Sequence, residues 1–377
     1  VRIAFVSTIL SYPWGGADTL WTHAAESAHA RGDTLLVAVT PAVAGHPRMA
    51  ALAQAGARFV LRSPPVSLPD LGLRLRRKVS GLLRRPDPLV SALRDFRPDL
   101  VVCSCGGTYD LLLESPLTSW LRETGTPYRI VANFQVEHPT LPEGDFQAIS
   151  GILTAAQAIF FVSTRNLEVT RRHLQADLPQ ARVIQNPLRW RPSDVSPWPE
   201  GSDWGLATVS RLDHGKGIHL LIEAAARALA DEPCWRINVY GKGPAESYLK
   251  TVALRSGLAD RVRFRGYVPE LAAIWRENRL MVSPAIDDGV PMTIPEAMLC
   301  ERPVLATAVG GAEDWLTHGR TGYLCQAPTL LLLAASLREA WDSRSNWQAM
   351  GLEAAAHART AYRPGEQRFL IDSLTSS

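Results

Sequence analysis

The feature that most restricts how this chain can fold is a repeated alternation of two patterns. Short, mainly apolar runs lie between longer stretches whose apolar residues recur at helical spacing. In the first half the short runs are Ile3–Ser7, Thr34–Val39, Phe59–Leu61, Leu100–Cys103, Arg129–Asn133, Ala158–Val162 and Val183–Gln185, and Thr19–Arg31 and Arg165–Gln175 are among the helical patterns between them. A strand that is apolar throughout is buried on both faces, and parallel strands need a helix to cross from one to the next. The pattern predicts a parallel sheet covered on both sides. It breaks at NPLRWRPSDVSPWPEGSDW (186–204), where four prolines, a glycine and several Ser and Asp residues follow no period. That composition reads as a linker. Alternation then resumes with Gly205–Val209, the helical Gly217–Ala230, Trp235–Tyr240, Val262–Arg265, Leu280–Ser283, Val304–Thr307 and Gly322–Leu324.

The expectation is an α/β chain of two doubly wound, Rossmann-like domains, 1–190 and 205–360, followed by an amphipathic helix within 361–377. A length of 377 residues suits two domains of roughly 100–200 residues each, and 46% apolar residues suffice for two cores. A net charge of +3 gives no support for wholesale nucleic-acid binding. The five cysteines (103, 105, 234, 300, 325) are scattered and odd in number, and read as buried thiols rather than as disulfides or a zinc site. A reducing cytoplasm fits them. The chain opens directly into a strand without a basic-then-apolar leader pattern. PTLLLLAASL (328–337) falls well short of the roughly 20 apolar residues of a membrane span.

Doubly wound sheets bind ligands at the carboxyl ends of their strands, and with two such sheets the cleft between them is the expected site. After the first strand, Gly15 and Gly16 precede a helix; glycines admit a close backbone approach and helix-start amides favour a phosphate, although such a pair is often only a turn. No G-x-G-x-x-G is present, and YGKGPAE (240–246) also lacks that spacing. After Gly205–Val209, Arg211 and Lys216 lie five apart in a glycine-containing loop that leads into a helix. Lysine is otherwise found only at 78, 242 and 250, against an arginine-rich background. An ammonium and a guanidinium do different work on a diphosphate, but two solvated surface charges would look the same. After Leu280–Ser283 comes AIDDGVPMTIPEAM (285–298). Thr293 to Glu296 matches the S/T-x-x-E capping box, a structural reason for Glu296 that leaves Asp287 and Asp288 unexplained. After Val304–Thr307 comes a further Gly-Gly turn, then Glu313 and Asp314.

At these residues the chain resembles a known family. VSRLDHGKG (209–217), FRGYV (264–268), SPAIDDGVPMTIPEAMLCERPVLATAVGG (283–311) and GRTGYL (319–324) are similar to the second domain of GT-B-fold glycosyltransferases, the retaining family 4 in particular. NPL after VIQ and FVSTRN (161–166) resemble its inter-domain segment and a preceding loop. The similarity is dense from about 205 to 325. It implies two Rossmann-like domains facing each other across a cleft, with an acceptor-binding first domain, a donor-binding second domain and a last helix that packs back on the first. The family's acid, seven residues, then Glu maps onto Asp288 and Glu296. The first member is usually Glu, so Asp288 is a departure. The resemblance implies that Glu296 binds the donor ribose and that Arg211 and Lys216 hold the diphosphate. Asp288, with Gly289, Val290, Pro291, Met292 and Thr293, would meet sugar and phosphate, and Tyr267 and Val268 would lie near the base.

The implied activity is transfer of a sugar from a nucleotide-diphosphate sugar, a UDP-sugar first, to an acceptor hydroxyl with retention of configuration, in polysaccharide, glycolipid or other glycoconjugate synthesis. The leaving phosphate itself would serve as base. No metal or other cofactor is expected. Asp287 and Asp288 are the nearest thing to a cation site, and adjacent acids in a tight turn diverge. At the end of Arg129–Asn133, Glu137 and His138 are candidates to reach the donor sugar, His138 foremost. His23 and His29 read as structural or solvated, and Asp18 as a helix cap or an acceptor contact. Within LPDLGLRLRRKVSGLLRRPDP (68–88), an apolar stripe and a basic face over 71–85 suggest either contact with an anionic membrane or ordinary packing. A sugar or lipid-linked acceptor is implied, and a cytoplasmic location, with docking at the inner membrane face as the variant. Two rivals remain: a sugar-nucleotide epimerase of the same fold, and a non-catalytic nucleotide-sugar binding protein.

Overall fold

The structure is a computed structural model in which residues 1–9, 14–62, 87–137 and 141–372 are described. The basic stretch 71–85 and His138 lie outside the described residues. The chain forms two compact units: Val1–Pro187 together with Pro364–Ser377, and Leu188–Arg363.

The sheet of the first unit is parallel and contains β1 (Arg2–Ser7), β2 (Thr34–Val39), β3 (Arg58–Leu61), β4 (Leu100–Gly107), β5 (Tyr128–Phe134), β6 (Ala158–Phe161) and β7 (Ala181–Val183). Its order is β3-β2-β1-β4-β5-β6-β7. The direction of winding reverses between β1 and β4, which pair in parallel from Ile3 opposite Leu100 to Ser7 opposite Ser104. Inner strands are buried on both faces, as their unbroken apolar runs require: Val101, Val102, Ile130 and Val131 are fully buried.

The chain returns to this unit at its end, but not as the α-helix expected there. Glu366–Leu370 is a 3-10 turn entered through Pro364 and Gly365, the latter at φ +90°. Leu370 and Ile371 are buried against the helix Gly16–Ala30. Buried Arg129 donates to the Phe369 carbonyl at 3.1 Å, and the Gln185 amide donates to Glu366 at 2.8 Å. Side-chain packing and two polar anchors hold the segment, so it needs no helical length of its own.

The second unit repeats the winding. Its strands are β8 (Trp204–Val209), β9 (Trp235–Tyr240), β10 (Val262–Gly266), β11 (Leu280–Ser283), β12 (Val304–Thr307) and β13 (Gly322–Cys325), in the order β10-β9-β8-β11-β12-β13. Here the switch point falls between β8 and β11. Leu206, Ile237, Val239, Val282 and Leu305 fill one face together with Trp341 and Trp347, on which Trp204 stands edge-on at 6.0 and 5.4 Å.

Read by composition, 186–204 was expected to be a linker. From Leu188 onward it is bound to the second unit. Arg302, 1% exposed, spends its guanidinium on carbonyls: Ser196 (3.2 Å) and Pro197 (2.8 Å) in this segment, and Trp275, Asn278 and Cys300 elsewhere in the unit. Arg279 donates to Pro199 and Gly201, and Ser196 Oγ to the Ala272 carbonyl. Carbonyls buried in a segment without regular structure need donors from elsewhere, and two buried arginines supply them.

Of the cysteines, Cys103, Cys105, Cys300 and Cys325 are buried and Cys234 is exposed, the last contrary to expectation because it sits in a turn at φ +57°. All are free thiols, and burial pushes Cys103 up to about 12. Among the described residues no helix is long and apolar enough to cross a membrane.

Candidate functional site

The switch point of the second sheet sets the site. The loop after β8 (210–217), the loop after β11 (284–292) and the turn after β12 (308–312) rise from neighbouring strands and are laced together through backbone. The Gly215 carbonyl accepts from the amides of Ile286 (2.8 Å) and Asp287 (3.2 Å). Thr307 Oγ1 donates to the Ala285 carbonyl at 2.6 Å, and the Gly311 amide to the Gly289 carbonyl at 2.9 Å. Glycine is required at two of these crossings. Gly217 is at φ +63°, and a Cβ there would lie 1.9 Å from the Pro284 carbonyl oxygen; one on Gly310, at φ +54°, would lie 2.3 Å from that of Asp288. No side chain other than hydrogen fits either place. The loop after β9 joins through Leu212, whose amide donates to the Lys242 carbonyl at 3.0 Å.

This lacing brings Lys216 and Asp288 together across the switch point. Lys216 Nζ donates to Asp288 Oδ2 at 2.6 Å, with the side chains 23% and 15% exposed. A pair so placed is partly desolvated yet open to an incoming ligand. Arg211, on the same loop as Lys216, donates from Nε to Asp213 Oδ2 at 2.6 Å. Both cations predicted for a diphosphate are therefore held by carboxylates.

Glu296 does not make the expected capping box. The helix Thr293–Leu299 has Met292 as its N-cap, already helical at φ −58°, ψ −22°, and no side chain caps it. Thr293 is thus the first residue inside the helix, and Glu296 has moved one position too far along to reach back. Its carboxylate, on a side chain 5% exposed, is taken by Arg189: Nε donates to Oε2 at 2.9 Å and the Arg189 amide to Oε1 at 3.4 Å. Burial pushes the Glu296 pKa up, and the Arg189 charge and hydrogen bonds oppose that. Arg189 was missed in the sequence because it falls in the segment read as linker.

The other expected residues are more dispersed. Gly289, Val290, Pro291 and Met292 complete the loop between Asp288 and the helix. Tyr267, 65% exposed, and half-buried Val268 follow β10, which lies beyond β9 from β8 and so two strands from the Lys216–Asp288 pair. Glu313 and Asp314 are exposed beyond the Gly310–Ala312 turn. Among the described residues no three His, Cys, Asp or Glu side chains are grouped to hold a metal.

In the first unit, Gly15 is the N-cap of Gly16–Ala30, and a Cβ on it would meet nothing within 4 Å. The protein's own packing does not call for glycine there. Asp18 is a cap: 1% exposed, it accepts from the Gly15 amide at 2.9 Å and from Trp21 Nε1 at 3.3 Å. Burial next to Arg48 pushes His23 down to about 4, in keeping with a structural role. Glu137, expected to be available to a ligand, is paired with Arg172 (2.8 Å) and Arg165 (3.3 Å) of the helix Thr164–Leu174. Its carbonyl contacts His173 Nε2 at 2.8 Å, whose Nδ1 meets the Tyr109 hydroxyl at 3.1 Å.

Two doubly wound units with a charged, glycine-laced switch point in the second define a class, and comparison with known proteins names it. Residues 205–342 match the family described as glycosyl transferases group 1. The D-inositol 3-phosphate glycosyltransferase of Streptomyces avermitilis is 28% identical over 288 residues, 67% of this chain and 62% of that protein. The 2-deoxystreptamine N-acetyl-D-glucosaminyltransferase of Streptomyces fradiae is 27% identical over 271 residues, 64% of each. The matched segments thus span somewhat under two thirds of these relatives. Among solved structures, Anabaena HepE in complex with UDP-glucose superposes with a TM-score of 0.73 at 19% identity, covering 98% of this chain and 97% of that one. Sucrose-phosphate synthase from Thermosynechococcus elongatus gives 0.72 at 16%, covering 98% and 96%. Residues 205–342 are thus similar to the group 1 glycosyltransferases, and the chain has the GT-B fold.

Proposed function

We propose that this protein transfers a sugar from a UDP-sugar to an acceptor hydroxyl with retention of configuration and without a metal ion, in polysaccharide or other glycoconjugate synthesis. The observation that carries this reading is the Lys216–Asp288 pair at the switch point of the second sheet, with Arg211 on the same loop. Breaking the bond between a sugar and a nucleoside diphosphate builds negative charge on the leaving phosphates. A fixed ammonium and guanidinium beside them lower that barrier because they are oriented before the reaction begins. In the free protein Asp288 and Asp213 occupy these cations; the diphosphate replaces or shares that role. Asp288 is then released toward the donor sugar, with the backbone of Gly289 to Thr293. Glu296, held by Arg189, accepts from the ribose hydroxyls. Tyr267 and Val268 border the base.

The acceptor is assigned to residues 1–190 and the donor to 205–360. The UDP-glucose complex of HepE, a protein of the same fold, supports a UDP-sugar donor. The two Streptomyces relatives are named for transfer to D-inositol 3-phosphate and to 2-deoxystreptamine, both of which carry hydroxyls. A thermal-shift panel of UDP, GDP, ADP and their sugars tests the donor class, since a ligand that binds only the folded protein raises its Tm by mass action. Selective stabilisation by UDP and UDP-sugars, unchanged by EDTA, is expected. Equal shifts by all nucleotides, or none, would overturn the assignment.

A further inference from the structure

Arg189 belongs to a segment with no expected chemistry, yet it is the main partner of the carboxylate assigned to the ribose. The geometry is specific. Each oxygen of Glu296 receives one donor from Arg189, Nε on Oε2 and the main-chain amide on Oε1. A carboxylate offers about four lone-pair directions, so this arrangement fixes its plane and leaves one direction on each oxygen for a further donor. Two donors side by side on the free edge are what a vicinal diol supplies.

We infer that Arg189 is a positioning residue for nucleotide binding, orienting the Glu296 carboxylate so that both of its oxygens accept from the ribose 2′- and 3′-hydroxyls. This rests on the reading above that Glu296 takes the ribose. It goes beyond that reading by placing a determinant of ribose recognition in the segment 188–204. The Arg189 side chain is 33% exposed while that of Glu296 is 5% exposed. The arginine is thus the more solvent-exposed member of the pair and the acid the deeper one. A lysine would keep the charge but not the planar donor that fixes the carboxylate plane. Charge state follows the same geometry. The titratable or charged groups acting on Glu296 are Arg189, Asp194 of the same segment, and Cys300 at the end of its own helix. Among the described residues Arg189 favours the ionised form, whereas Asp194 opposes it and the Cys300 thiol is pushed up to about 12 and stays neutral.

The test is calorimetric titration of the full chain with UDP and with 2′,3′-dideoxy-UDP, comparing wild type, Arg189→Ala, Arg189→Lys and Glu296→Gln. Arg189→Ala should weaken UDP roughly tenfold or more, the worth of a hydrogen bond to a charged group, and leave the dideoxy nucleotide nearly unchanged. Arg189→Lys should fall between. The UDP deficit of Arg189→Ala should shrink as pH rises, because Glu296 then ionises without help. If Arg189→Ala weakens both nucleotides equally, its role is structural and the inference fails. If Glu296→Gln discriminates between them and Arg189→Ala does not, the ribose reading stands and this inference alone fails. If neither variant discriminates, the ribose reading fails and takes the inference with it.

Discussion

Asp288→Asn should produce an enzyme that binds product more tightly and turns over more slowly. In the free protein the Lys216 ammonium is 2.6 Å from the Asp288 carboxylate. When a diphosphate engages the same ammonium, two anions share one cation and stand about 4–6 Å apart, at the contact distances of ion pairs. Two unit charges at about 4 Å repel by roughly 1 kcal/mol in water and about 4 kcal/mol at the effective dielectric of a protein surface. The pair is partly open, with Lys216 23% exposed, so the lower part of that range applies. Removing the Asp288 charge without changing its shape should therefore tighten UDP by about five- to twenty-five-fold, roughly one to two kcal/mol at 1.4 kcal/mol per decade. The gain should shrink at high salt, where the repulsion is screened. Transfer should fall by about tenfold or more, because the neutral amide loses a charge-assisted contact with the donor sugar. Calorimetry with UDP at two ionic strengths, beside steady-state transfer, reads both effects. UDP binding that is unchanged or weaker in Asp288→Asn would refute the argument that Asp288 competes for Lys216. Asp288→Glu, which keeps the charge and moves it one methylene further out, should preserve or raise activity.

Three further outcomes follow from the structure. Burial raises the Glu296 pKa above its ordinary 4.5, so ionisation costs folded-state stability once pH rises past that value; Glu296→Gln should raise Tm at neutral pH, weaken UDP, and lose its stability advantage as pH falls toward 4.5, all readable by thermal melts across pH. Arg302→Met leaves buried carbonyls of Ser196, Pro197 and Trp275 without a donor, at a cost of about 3 kcal/mol or more, or about 10 °C in Tm, and limited proteolysis should then cut within 190–204. Gly217→Ala places a methyl against the Pro284 carbonyl at positive φ, which costs about 1–2 kcal/mol in backbone strain alone; the loops after β8 and β11 must part, and UDP affinity should fall with Tm.

The fold was legible because burial on both faces of a parallel strand leaves an unbroken apolar run, and this chain has such runs in both halves. What the period could not show is where polar atoms go. The segment 188–204 has a linker's composition, yet its carbonyls taken by Arg279 and Arg302, with the Ser196 and Arg189 bonds, make it part of the second unit. The individual members of the site were legible by type and strand end; their partners were not. Lys216 and Asp288 are 72 positions apart, and Arg189 and Glu296 are 107 apart. Those pairings depend on the reversal of strand order between β8 and β11, which no local pattern encodes. The capping box failed for a local reason: Met292 adopts helical angles, so the helix begins a residue before the motif assumes.

The most direct test of the central claim is UDP-sugar turnover by the wild type and by Lys216→Ala, with folding checked by Tm. The account predicts slow release of UDP and free sugar by the wild type in the absence of acceptor. In Lys216→Ala that release should fall by about a hundredfold or more, the scale of losing one preorganised charge stabiliser, with Tm lowered only by the degree or two that a partly exposed ion pair contributes. Turnover in Lys216→Ala within a few-fold of wild type, or conversion of the donor to an epimer by either protein, would contradict it.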